Sequence, residues 1–362
     1  MQRGVSVRVA GVRRSAECWL FDSESDPDSD GDSHPGYHRS MKASAIAHPN
    51  IALIKYWGKS DVERNIPAVG SLSITLDGLT TTTSVFFDSD LLEDEFLLGG
   101  IAALTMADRV TRCLDLVRDR VGVQHRARVE SDNDFPTAAG LASSASGFAS
   151  LVVAVNAALE AGIESTELAD LARRASGSAA RSIFGGFVEL RLTPDGPSPT
   201  ETRQIIEPSD WPLRVAVAVT ETGPKEVGST EGMVRTEQTS PYYADWVSSS
   251  EEDLAEARSA IERRDFEGLA DVSESSCLKM HAVMLSARPG LVYWNGATVE
   301  CIRRVRELRA DGVPVFFTVD AGPQVKAVCA PDAFELVAAE LAKVEGVEQV
   351  LASGLGEGAR VV

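Results

Sequence analysis

The stretch Pro136 to Gly147 reads PTAAGLASSASG, and its small residues run straight into a segment of helical period. Phe148, Leu151, Val152, Val155 and Leu159 fall at i, i+3, i+4, i+7 and i+11. A loop of small side chains ahead of a helix exposes backbone N–H groups. It also turns the positive end of the helix dipole toward whatever sits there. Such a segment can cradle phosphate, and Ser143 and Ser144 add hydroxyls for a phosphate oxygen or Mg2+. The same composition also suits a tightly packed, serine-capped helix start, and no Gly-Lys-Ser/Thr closes the loop as a Walker sequence does. Taken alone, the loop leaves both readings open.

Four further segments carry residues fit for chemistry. In PNIALIKYWGK, Lys55 and Lys59 flank Tyr56 and Trp57 at the end of an apolar run. Lysines there can neutralise a phosphate or carboxylate, or can simply snorkel from a strand end. In SGSAARS, Ser178 and Arg181 are three apart and share a face if the segment is helical. Arginine suits a two-pronged grip on carboxylate or phosphate; a capped helix start is the plain alternative. GSTEGM, Gly228 to Met233, again sets small hydroxyl residues before a helix. In TVDAGPQVK, Asp320 follows an apolar strand and precedes a rigid turn. It can accept a proton or orient a hydroxyl, or merely form the turn.

These segments need two domains to hold them. The chain has 362 residues, 44% of them hydrophobic, enough for two cores. Residues 1–40 are rich in Ser and Asp and broken by Pro and Gly, so they read as a disordered leader ahead of a start at Met41. Residues 41–220 alternate strands and helices and read as an N-terminal α/β domain. Within them, Ser71–Leu76 and Thr80–Phe87 read as a hairpin about Asp77-Gly78. Residues 221–362 carry longer helices, with expected spans at 243–263, 266–286, 298–309 and 332–344, and read as a C-terminal α+β domain.

Composition excludes several classes of function. A net charge of −19 repels nucleic acid and anionic membrane surfaces. No apolar run reaches the roughly 18 to 20 residues that span a bilayer. The five cysteines are scattered without a CxxC pair, which points away from a disulfide framework or zinc site and toward the cytoplasm. Only seven of the 35 basic residues are lysine. An acidic, lysine-poor surface reads as adaptation to high salt, with a GC-rich genome as the plainer source. Two of those lysines, Lys55 and Lys59, fall in one short segment.

Taken together, NIALIKYWGK, SLSITL, PTAAGLASSASG, SGSAARSIFGGFVE, GSTEGM, the MHA at Met280 to Ala282 and TVDAGP resemble the mevalonate diphosphate decarboxylases of the GHMP kinase superfamily. The resemblance runs from Met41 to Val362 and keeps the family's order and spacing. It implies the two-domain α+β GHMP kinase fold, with the active site in the cleft between domains. It implies ATP and Mg2+ as cofactors, a phosphorylated mevalonate as substrate and a homodimer as the assembly.

The resemblance also implies roles. Asp320 becomes the catalytic carboxylate acting on the substrate's 3-hydroxyl. Arg181 holds the substrate carboxylate and keeps Asp320 ionised, and Lys55 adds charge near the phosphates. Tyr56, Lys59, Ser176, Ser178, Ser229 and Met233 match substrate-binding positions. Ala139, Gly140, Leu141, Ala142, Ser143 and Ser144 cradle the ATP phosphates, with Ser143 near Mg2+. The segment Asp88 to Gly100 has no clear counterpart, so no adenine contact is assigned. Thr230 stands where some bacterial members carry an arginine for a second substrate phosphate. The composition, like that of halophilic archaea, tips the substrate toward mevalonate 5-phosphate, with the 5-diphosphate as the alternative and a 3-kinase that stops short of decarboxylation behind both.

Overall fold

The computed structural model describes residues 7–8, 41–135, 143–194, 196, 198–223 and 225–362. Two sheets build the first half. Strands Lys42–Ala47, Thr81–Asp88 and Arg126–Asn133 are the middle of a six-stranded sheet. Thr81–Asp88 alternates buried and exposed positions, as a strand with one wet face must. Helices Leu104–Val121, Ser143–Ala158 and Ser165–Ala175 cover the dry face around Val85, Val129, Phe148 and Val152. A four-stranded sheet contains Asn50–Ile54, Ser71–Thr75, Phe187–Leu192 and Thr200–Ile206. Its strands Asn50–Ile54 and Ser71–Thr75 are buried at every position, because both faces are packed.

The second half is a five-stranded sheet of Arg214–Val219, Val315–Val319, Val325–Cys329, Gln349–Ser353 and the short Val7–Arg8. Val215, Val217, Phe316 and Val328 face helices Tyr243–Arg263 and Phe266–Leu285. Ala216, Phe317, Val319 and Ala327 face the opposite way, toward helices Gly296–Ala310 and Phe334–Leu341. The result is mixed helix and sheet in two packed halves.

Four expectations change. Strands Ser71–Thr75 and Thr81–Asp88 are not a hairpin; they belong to different sheets. The Asp77-Gly78 turn is occupied by the chain's last segment: Gly354 N–H donates to the Asp77 carboxylate, and a Cβ on Gly78 would meet the Ala352 carbonyl at 2.5 Å. Strand Arg214–Val219, read as the end of the first domain at residue 220, is the centre of the second sheet, between Gln349–Ser353 and Val325–Cys329. Its alternating small and branched residues suit a strand packed on both faces. The C-terminal segment returns to the first half, where Arg360–Val361 pairs with Ile46 and Ala45. In the leader, Val7–Arg8 pairs in parallel with Val350 and Leu351, filling an open sheet edge. The rest of the leader lies outside the described residues.

Candidate functional site

A cleft of about 890 Å³ lies where the two halves meet. It is lined by Lys55, Tyr56, Lys59, Ser144, Ser176, Ser178, Arg181, Ser229, Met233 and Asp320, residues brought from five separate stretches of chain. In a chain of net charge −19, seven basic and three acidic side chains face it. Such a local reversal of sign concentrates anions.

Asp320 sits at the end of strand Val315–Val319, with its carbonyl accepting from Gly322 N–H at 2.7 Å. The loop that follows is pinned: Thr298 Oγ1 and Thr220 Oγ1 donate to the Pro323 carbonyl, and Gln324 bridges Thr220 N–H and the Glu221 carbonyl. Two buried ammonium groups hold the carboxylate. Lys55 Nζ lies 2.6 Å from Oδ1 and Lys326 Nζ lies 3.1 Å from Oδ2. Burial by itself pushes the Asp320 carboxyl up, but the charges and hydrogen bonds of Lys326 and Lys55 outweigh it and hold the group well below the usual carboxylate range.

Lys55 follows strand Asn50–Ile54, whose pairing with Ser71–Thr75 shifts register between Ala52 and Ile54. A bulge of this kind re-aims side chains. Here it leaves the Ala52 carbonyl free to accept from Lys55 Nζ at 2.9 Å and Thr318 Oγ1 at 3.1 Å. Ser276 Oγ receives the Lys55 backbone N–H.

Arg181 lies on the short 3-10 turn Ala179–Ser182 and is 2% exposed. Its guanidinium donates to Ser71 Oγ, Ser73 Oγ and Asn50 Oδ1, all neutral acceptors. Burial draws its pKa down to about 10, opposed by Tyr56 and Asp320. No carboxylate ion-pairs with it among the described residues, so its charge is left for a ligand. The direct contacts to the Asp320 carboxylate are made by Lys55 and Lys326, and Arg181 interacts with it only through its charge.

Tyr56 packs its hydroxyl on Gly177, where a Cβ would stand 2.6 Å away. Burial pushes its pKa up to about 12, so it stays a neutral donor. Gly177 therefore lets Ser176 and Ser178 sit beside Tyr56 at the cleft wall. Helix Ser229–Thr239 starts at Gly228 with no side-chain cap, and Ser229 points its free first turn into the cleft. Met233 closes the floor with Trp57, Val69 and Met280.

Helix Ser143–Ala158 is seated by hydroxyls. Ser146 Oγ lies 2.6 Å from Thr81 Oγ1, and Ser150 Oγ lies 2.7 Å from Thr83 Oγ1. Its first turn divides the main cleft from an apolar cavity of about 260 Å³ lined by Phe96, Leu98, Met106, Phe148 and Leu151. Ser143 lines the cavity, and Ser144 and Arg109 line both spaces. Ala139, Gly140, Leu141 and Ala142 lie outside the described residues.

Sequence reading missed Lys326, Arg109 and the apolar cavity. Strands Val315–Val319 and Val325–Cys329 pair with Thr318 opposite Lys326, which puts Lys326 on the face of Thr318 and Asp320. The cavity wall at Phe96 and Leu98 comes from the unmatched segment, whose strand Glu95–Leu98 pairs in parallel with Arg128–Ser131.

The family described as "Diphosphomevalonate decarboxylase-like N-terminal domain" matches residues 47–198, and "Mevalonate 5-diphosphate decarboxylase C-terminal domain" matches 215–357. The Homo sapiens diphosphomevalonate decarboxylase is 38% identical over 304 residues, spanning 77% of this chain and 74% of that protein. The Candida albicans diphosphomevalonate decarboxylase is 36% identical over 298 residues, 78% of this chain and 82% of that protein. Among solved structures, the mevalonate diphosphate decarboxylase of Staphylococcus aureus superposes with a TM-score of 0.83 at 38% identity, covering 89% of this chain and 98% of that one. A complex of MDDEF with MVAPP, AMPPCP and magnesium gives 0.82 at 40% identity, with the same coverage.

Proposed function

We infer the function from one premise: this chain belongs to the diphosphomevalonate decarboxylase family. It is an ATP-dependent decarboxylase of a 5-phosphorylated mevalonate. The observation that carries this reading is Asp320, held as an anion by Lys55 and Lys326 in a cleft that Arg181 and the first turn of helix Ser143–Ala158 also line. The ATP phosphates bind at that helix start, and the base enters the apolar cavity beside it. Arg109, at the junction, and Lys225, on the cleft wall, add positive charge along the way.

Mg2+ fits as an ion carried by the phosphates and completed by a serine hydroxyl, Ser143 in our reading. Among the described residues no cluster of His, Cys, Asp and Glu could cage it, and both Asp320 oxygens face lysines. Bound there, it offsets phosphate charge.

Arg181 takes the substrate carboxylate. Tyr56, Lys59, Ser176, Ser178 and Ser229 hold the 5-phosphate, and Met233 packs against the carbon chain. The 3-hydroxyl, oriented by Asp320, attacks the γ-phosphorus as the bond to ADP breaks. Its proton passes to Asp320 late, as suits a loose transition state with an anion of low basicity. The C3–O bond then breaks and phosphate leaves with the electron pair. The C1–C2 bond breaks, CO2 departs, and its electrons form the alkene.

Within that chemistry we propose mevalonate 5-phosphate as the substrate and isopentenyl phosphate as the product. Beyond Ser229 the cleft wall continues with Thr230 and Glu231, and Glu63 also faces it. A second phosphate extending that way meets Thr230, where some family members carry an arginine, and Glu231, whose carboxylate is already paired with Arg235. The names of the relatives favour the 5-diphosphate instead. The same reading takes the protein to act in the cytoplasm as a homodimer. Assays of CO2 and ADP release at high KCl, with the monophosphate and diphosphate in parallel, test the choice. Turnover confined to the monophosphate supports it, and turnover confined to the diphosphate overturns it.

A further inference from the structure

Two lysines on one carboxylate is an unusual allotment in a chain with only seven. The two differ in where they can act. Lys55 lines the cleft; Lys326, 1% exposed, does not, and meets Asp320 from behind. Lys55 directs two of its three N–H groups to Asp320 Oδ1 and the Ala52 carbonyl, leaving one. One carboxylate balances one ammonium, so the trio carries a surplus positive charge that faces the cleft through Lys55.

We propose that Lys326 is a positioning residue that fixes Asp320 from behind as an oriented anion, so that the charge and remaining N–H of Lys55 serve the transferring phosphoryl group. The proposal rests on the reading of Asp320 given above. The hairpin register that sets Lys326 beside Asp320 is locked by Thr318, whose hydroxyl ties the same strand to Ala52. Other groups facing Asp320 are Arg181 from the 3-10 turn, Lys225 from the loop before helix Ser229–Thr239, and Cys277 and His281 from helix Phe266–Leu285. Burial pulls the Lys326 ammonium down while the carboxylate pushes it back up. His281 and Cys277 are buried and neutral, and neither replaces the cation behind Oδ2.

The test compares Lys326→Met and Lys326→Arg with the parent enzyme across pH. Without the cation Asp320 takes its proton more readily, so the acid limb of kcat in Lys326→Met moves up by about 1 to 3 pH units. KM changes little, because Lys326 touches no substrate. Lys326→Arg keeps the charge and keeps the limb near its parent position. A parent-like limb and kcat in Lys326→Met overturn the proposal. Lys326→Gln serves the same comparison if the methionine variant does not fold. The parent protein offers a variant-free reading: the Asp320 carboxyl carbon, assigned by its loss in Asp320→Asn, stays at its ionised position by NMR down to about pH 4, and titration at or above the ordinary value near 4 overturns the clamp. Full activity in Asp320→Asn would sink the underlying reading instead, which separates the two failures.

Discussion

At the scale of single residues, the account rests on where charge is balanced and where it is not. Asp320 is balanced from two sides, while Arg181 has only neutral partners and waits for an anion. Asp320→Asn is therefore expected to abolish turnover and to leave ATP binding within about twofold, since the nucleotide contacts lie at the other helix start. Activity and equilibrium nucleotide binding measured on the same preparation check this. Asp320 and Arg181 were visible in the sequence because each sits in a short segment with a turn or a helix start, and Lys55 because it falls beside Lys59 in a chain with only seven lysines. Lys326 was hidden because its meaning depends on strand register, which one residue of slip would reverse. His281 is a second buried group, with Nε2 at 3.2 Å from both the Val319 carbonyl and Trp294 Nε1. Its ring can serve one at a time, donating to the carbonyl or accepting from the indole.

At the scale of elements, the site depends on close approaches that only small residues permit. Gly177 brings the turn of Ser176 and Ser178 against Tyr56. Gly177→Ala should displace the Tyr56 ring, raise KM for the phosphorylated substrate about tenfold or more, and leave the thermal midpoint nearly unchanged. Parallel kinetics and thermal unfolding decide it; an unaltered KM would show that the Tyr56 position is not needed. Helix existence was legible from periodicity: the expected span 243–263 is the observed Tyr243–Arg263. Strand partnership was not. The Asp-Gly turn carries a strong hairpin signal, yet the two strands part into different sheets because the segment around Gly354 occupies the turn. A contact 277 residues away in sequence leaves no local trace.

At the scale of the whole molecule, the two halves are tied by the C-terminal segment. Leu355 bridges Leu76, Gly186 N–H donates to Gly356, Ala359 N–H donates to Ile183, and Arg360–Val361 joins the first sheet. Truncation after Ser353 is expected to lower the thermal midpoint by several degrees and to reduce activity through a loosened cleft. A truncated protein with parent-like unfolding would remove the segment's structural role. Stability should also depend on pH through His281, whose burial pulls its pKa down to about 3. Above pH 6.5 the ring is neutral whether folded or not. As pH falls from 6.5 toward about 3, only the unfolded chain takes the proton, so His281's contribution is withdrawn across that window. Urea unfolding of His281→Asn at several pH values should show a shallower acid decline than the parent. The two-domain plan was legible because each half keeps its own hydrophobic pattern. The crossing of strand Arg214–Val219 into the second sheet and the return of the tail were not, since both are set by packing across the halves.

The central claim is that phosphoryl transfer and decarboxylation are coupled in one cleft. Its most direct test is the ratio of CO2 to ADP released by the purified protein with ATP, Mg2+ and mevalonate 5-phosphate. Equal amounts of both, appearing together, are the predicted result. ADP released with substrate-dependent kinetics but without CO2 would contradict it and leave a kinase on this fold.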